Sequence, residues 1–157
     1  MKHYLSEFIY GSIDGLITTF AIIASSVGAG IPNIYMVIIC CASIIADGYS
    51  MGISRYLSYS AETKLNSSKN HIYSGIITFI SFAGIGLLPV LPFLFLTTQA
   101  FELSVCLTLI LFLVIGFIKA TILKSGIYSS IIETFSLGVS ASVISYIVGY
   151  YLKDKID

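Results

Sequence analysis

Tryptophan is absent from this chain, and charge is scarce: eight Lys or Arg and eight Asp or Glu among 157 residues, with no net charge. So thin and balanced a charge set excludes the basic face that a nucleic-acid partner needs. The three cysteines, Cys40, Cys41 and Cys106, sit inside apolar runs with no C-x-x-C or other metal-type spacing. Their odd number excludes complete pairing, and they read as small packed apolar residues. Proline occurs only at Pro32, Pro89 and Pro92, so long stretches are free of the residue that breaks helices. No Ser/His/Asp set, phosphate loop or haem-type ligation is written in the chain, and no enzymatic activity is expected.

What is abundant is apolar. Hydrophobic residues make up 57% of the chain and the mean hydropathy is +0.96, well beyond what the surface of a soluble domain tolerates. Crossing about 30 Å of hydrocarbon takes about 20 helical residues. Segments of that kind lie at 8–27, 34–57, 72–91, 101–118 and 127–152. The expected fold is therefore an all-α membrane protein, one domain over 1–157 with five transmembrane helices and short connections. Gly28, Gly30 and Pro32 close the first helix, Pro89 and Pro92 end the third, and Ser125-Gly126 precede the fifth.

Lys2 ahead of an apolar run superficially resembles a secretory leader, but Glu7 and Asp14 interrupt the pattern and the run is long, so no cleavage is expected. Orientation follows from the basic residues of the short loops. Lys2, Arg55, Lys64, Lys69, Lys119 and Lys124 would fall on one side, against Lys153 and Lys155 on the other. This places the N-terminus in the cytoplasm and the C-terminus outside.

Three acidic residues stand inside spanning segments: Asp14, Asp47 and Glu133. Each costs about 2.5 to 3.5 kcal/mol at a helix centre, so each demands a polar environment or a function. At a rise of about 1.5 Å per residue, Asp14 and Glu133 lie roughly 9 Å from the inner face, Asp47 roughly 12 Å and Met51 about 6 Å. Carboxylates from three helices at one level, with a thioether beside them, make a cation site: oxygen suits hard divalent ions, and sulfur favours softer transition metals. Fe2+ or Mn2+ fits that mixture better than magnesium or calcium. Solvated headgroup carboxylates and an ordinary packed methionine are the plain alternative.

The second helix carries the clearest pattern. Asp47, Met51, Arg55, Ser58 and Glu62 recur at steps of four, four, three and four, one narrow helical sector that continues toward the cytosol. Gly11 and Gly15 bracket Asp14, while Gly48 and Gly52 bracket Met51. Such small-xxx-small notches admit a neighbouring helix backbone. His3 and His71 read as surface histidines at helix ends, Glu102 as a headgroup or capping residue, and Tyr4, Tyr35, Tyr150 and Tyr151 as an interfacial belt.

IDGLITTFAIIASSVGAG, IADGYSMGISRYLSYSAE, GIGLLPVLPF, FLVIGFIKA and ETFSLGVSASVISYIVGYYL resemble, in order, the five helices of the vacuolar iron transporter family. The resemblance covers nearly the whole chain. It implies a five-helix homodimer that moves ferrous iron, and often manganese, out of the cytosol in exchange for protons. The acidic residue of the first-helix DGL motif matches Asp14 and the methionine of the second-helix SMG motif matches Met51; in the family these line the path. Iron-storing members carry a long helical insertion, rich in glutamate and methionine, between helices two and three. Here that space is only ETKLNSSKN, in which Glu62 matches the acidic residue after the second helix. Arg55 also stands on the polar stripe, where a fixed cation beside the path repels metal unless Glu62 or another carboxylate pairs with it.

The expected function is export of divalent transition metal from the cytosol, coupled to protons. Metal binding requires the deprotonated carboxylate, so metal and protons compete for the same oxygens. Asp14 is then the principal ligand and proton carrier, Met51 the soft ligand, Asp47 and Glu133 auxiliary charges or proton relays, and Glu62 an entry residue. Divalent metal ions, protons, membrane lipid and a second copy of the chain are the expected partners, with Fe2+ or Mn2+ as transported ion and no permanently bound cofactor. A prokaryotic-type cytoplasmic membrane is the expected location. The competing reading is a non-transporting assembly or regulatory subunit that uses the glycine notches to bind a partner span.

Overall fold

The computed structural model describes residues 4–62, 70–96, 98–124, 126–153 and 155, with only the backbone of Glu62 and Leu123. Lys2, His3, Lys64 and Lys69 lie outside the described residues, as does the side chain of Glu62. The elements are α1 (Leu5–Ala29), α2 (Asn33–Glu62), α3 (His71–Leu87), a 3-10 turn (Leu88–Val90), the short α4 (Leu91–Phe95), α5 (Ala100–Leu123) and α6 (Ile127–Lys153). Five spans, with α3 to α4 counted as one, are long and apolar enough to cross a membrane, as a multi-pass membrane protein requires.

The helices run past the ends that hydropathy marks. α2 continues to Glu62 rather than stopping at 57, and α5 continues to Leu123 rather than 118. Hydropathy falls where polar residues gather, whereas Ala, Glu and Lys propagate a helix nearly as well as Leu. At the other end of α1 the stop is sharp. Gly30 adopts the left-handed conformation at φ 70°, and its N–H donates to the Ser26 and Val27 carbonyls.

The two prolines of the third span do something other than end it. Pro89 stands inside the 3-10 turn and Pro92 in the first turn of α4, so the chain stays helical to Phe95. Proline is tolerated at a helix start because no N–H is needed there. Pro92 has no N–H to give the Pro89 carbonyl, and Ser104 of α5 donates to it at 2.7 Å.

α1 is the hub, packed against α3 and α6 and more lightly against α2 and α5, while α2 packs chiefly on α3. Leu16 and Ile23 of α1 are fully buried. Phe20 and Ile23 pack with Met36, Cys40, Ile44 and Val90, while Leu16 packs with Phe112 and Ile115. Lipid is as apolar as leucine, so helices here are held by close packing and interhelical polar contacts rather than by hydrophobic exclusion. Ser74 and Ser81 of α3 are buried and donate to the Glu7 carboxylate and the Glu7 carbonyl of α1 in keeping with that rule. Of the cysteines, Cys40 is buried, but Cys41 is half-buried and Cys106 exposed, because α5 turns that face outward.

Candidate functional site

The candidate site begins at one end of the bundle, where the start of α1 meets the end of α2 and the start of α3. Glu7 is fully buried there. The Tyr59 hydroxyl donates to its Oε1 at 2.5 Å, Ser74 to the same oxygen at 3.3 Å, and Ser6 to Oε2 at 2.9 Å. A buried carboxylate is tolerable only with such donors. Asn70 caps α3 by accepting from the Ile72 N–H at 3.0 Å, and its own N–H donates to the Tyr4 hydroxyl, which fixes that end of α3 against α1.

Two turns further along α1, Asp14 is half-buried and lines an open cavity with Ser6, Ile9, Tyr10 and Ile13. Asp47 of α2 is also half-buried and accepts from the Ser43 hydroxyl one turn away. Met51 lines a neighbouring cavity with Ser50, Ser54, Arg55, Ser58 and Tyr10. Tyr10 is common to both cavities. Asp14 and Asp47 are thus two half-buried carboxylates on helices that pack together, α1 and α2.

Glu133 is placed differently. It is exposed on α6 and accepts from Lys119 of α5 at 2.8 Å, whereas α6 packs on α1 and α5 and α2 packs on α3 and α1. Among the described residues, no three His, Cys, Asp or Glu side chains converge within one chain. The three carboxylates, though similar in depth by residue count, are therefore not gathered into one intrachain cluster. Helix rotation, which depth leaves open, decides this. Glu62 is the last residue of α2.

The notch glycines all face α3 of the same chain. A Cβ on Gly11 would stand 2.6 Å from the Thr78 carbonyl oxygen, and one on Gly15 would collide with the Phe82 carbonyl. Gly48 faces the Phe79 and Phe82 rings, and a Cβ on Gly52 would come 3.0 Å from the Gly75 carbonyl oxygen. The notches bring α1 and α2 onto one common helix.

Arg55 is held by two tyrosines, with its guanidinium carbon 5.0 Å from the Tyr10 ring centroid and 5.5 Å from that of Tyr59. Among the described residues no carboxylate pairs with it, and its Nε is buried without an acceptor. His71, read as a surface histidine, is half-buried and engaged.

Glu7 and the two arginine-stacking tyrosines are the residues that sequence reasoning missed. Signals were available: Glu7 stands seven residues before Asp14, two turns away on nearly the same helix face, and Arg55 and Tyr59 are an i, i+4 pair.

The sequence profile of the VIT family matches residues 5–71 and 61–150. A stretch of 61 residues is 43% identical to a vacuolar iron transporter of Plasmodium berghei, covering 39% of this chain and 22% of that protein. The vacuolar iron transporter of Plasmodium falciparum matches to the same extent. In that of Toxoplasma gondii, 36% of 59 residues are identical, over 38% of this chain and 20% of the relative. The matched stretch thus spans about a fifth of these relatives' own length.

Proposed function

This chain belongs to the VIT family, and from that membership we propose that it exports a divalent transition metal, Fe2+ or Mn2+, from the cytosol in exchange for protons. The observation that carries the reading is two half-buried carboxylates, Asp14 and Asp47, on membrane-length helices that pack together. Two like charges at unfavourable depth are stabilised together by a dication or by protons, and by little else inside a membrane. The relatives named as vacuolar iron transporters point to the same cargo.

In the proposed cycle, metal reaches the bundle end near Glu62, binds the deprotonated Asp14 with Asp47 adding charge, and takes Met51 as a soft ligand. Protonation of the carboxylates from the far side releases it, since metal and proton claim the same oxygens. Glu133, held by Lys119, serves as a peripheral charge or proton relay. A second copy of the chain, set against the exposed polar face of α2, supplies the further ligands that one chain does not bring together. The N-terminus is proposed as cytoplasmic and the C-terminus as external, in a cytoplasmic membrane of prokaryotic type.

The test is metal uptake into inside-out vesicles carrying the wild-type chain or Asp14→Ala. Uptake in the wild type and its loss in the variant support the assignment; equal uptake removes it.

A further inference from the structure

Export of a dication gives Arg55 no task, yet the structure holds it firmly. Ser50, Met51, Ser54, Arg55 and Ser58 share one face of α2 and, with Tyr10, line a cavity of about 300 Å³. No carboxylate is in that lining; its polar groups are hydroxyls and one guanidinium. The Tyr10 and Tyr59 rings take the guanidinium by cation–π contact, while its N–H groups all lie in its own plane. An edge of in-plane donors matches a bidentate oxyanion. The Nε is closed off from solvent and has no acceptor among the described residues, so the two Nη groups are the in-plane donors left for a ligand.

Position tells which oxyanion reaches it. The 30 residues of α2 make a helix about 45 Å long, against about 30 Å of hydrocarbon. Arg55 stands seven residues, about 10 Å, before the helix ends at Glu62, which is headgroup depth. Lys124, at the C-cap of α5, adds positive charge at the same end of the bundle, where Lys119 is already paired with Glu133. That is where the phosphates of anionic lipids gather.

We propose that this cavity binds a phosphate group, with Arg55 as the bidentate donor and the Ser54 and Ser58 hydroxyls completing the shell. The phosphate comes from the headgroup of an anionic phospholipid or from inorganic phosphate. Its charge also offsets that of Arg55 beside Met51, so a cation passing there meets a neutralised site. The proposal is independent of which cargo the chain carries.

The experiment uses the full chain in nanodiscs of phosphatidylcholine alone or mixed with phosphatidylglycerol, followed by native mass spectrometry and thermal unfolding. The wild type should retain phosphatidylglycerol over phosphatidylcholine by roughly fivefold, about what one basic residue contributes at a membrane surface, and unfold at a higher temperature in the mixed discs. Arg55→Gln should reduce both effects to parity, and Arg55→Lys should keep part of them. Should Arg55→Gln not fold, the double variant Ser54→Ala/Ser58→Ala retains the charge and should lose part of the preference. Inorganic phosphate titrated into phosphatidylcholine discs separates the sources: stabilisation of the wild type alone makes free phosphate the ligand. Asp14→Ala must keep the lipid preference, so failed transport and a failed phosphate site are told apart. If neither phosphatidylglycerol nor phosphate distinguishes wild type from Arg55→Gln, as when a carboxylate of a second copy fills the cavity, the proposal is overturned.

Discussion

The Tyr59 hydroxyl donates to Glu7 Oε1 at 2.5 Å across 52 residues of sequence, fastening the end of α2 to the start of α1. Because Glu7 is fully buried, every donor it has matters. Tyr59→Phe keeps the ring beneath Arg55 and removes only the hydroxyl. It should cost about 1–3 kcal/mol, the penalty for depriving a buried acceptor of its partner, read as a lower unfolding temperature in detergent. A shift no larger than that of a surface substitution would mean that Ser6 and Ser74 suffice.

Two glycines, one packed and one open, test the packing account. A Cβ at Gly15 collides with the Phe82 carbonyl, whereas at Gly84 it meets nothing within 4 Å. Gly15→Ala should destabilise by about 1–3 kcal/mol through overpacking. Gly84→Ala should be neutral or stabilising by up to about 1 kcal/mol, since alanine is the better helix former. Thermal unfolding of the two variants side by side measures the contrast.

Lys119 and Glu133 meet at 2.8 Å, but the Glu133 side chain is 59% exposed. An ion pair so open contributes under about 1 kcal/mol after screening, so Glu133→Gln should leave the unfolding temperature nearly unchanged. A role as relay instead predicts slower metal-driven proton movement at unaltered stability. Vesicle flux and calorimetry on the same preparation separate the two effects.

Met51→Leu conserves volume and removes the sulfur. If the thioether ligates cargo, Fe2+ and Co2+ transport should fall several-fold while Mn2+, which leans on oxygen, falls less. Competition between the ions in one vesicle assay measures the ratio. An equal loss for all three makes Met51 a packing residue.

The five spans were legible in the sequence because membrane length and apolarity are summed properties of a segment, indifferent to which way each residue faces. The helix ends were less so. The apolar run of α2 stops at 57, whereas its helix reaches Glu62, and Pro89 and Pro92 carry the third span onward through a change of hydrogen bonding. For the site, periodicity placed Met51 and Arg55 on one face of α2, and they line one cavity. Depth could not say that Glu133 turns toward Lys119, because rotation about a helix axis is set by neighbours distant in sequence. The same reason hid Glu7, whose donors come from Tyr59 and Ser74, on two other helices.

The central claim is that Asp14 exchanges metal for protons. It is tested most directly in proteoliposomes loaded with a metal indicator and a pH indicator, comparing the wild type with Asp14→Asn, which keeps the shape and removes the charge. Metal entry with opposing proton movement in the wild type, and neither in the variant, is the predicted result. Metal entry by Asp14→Asn at the wild-type rate, with protons still moving against it, would contradict the account.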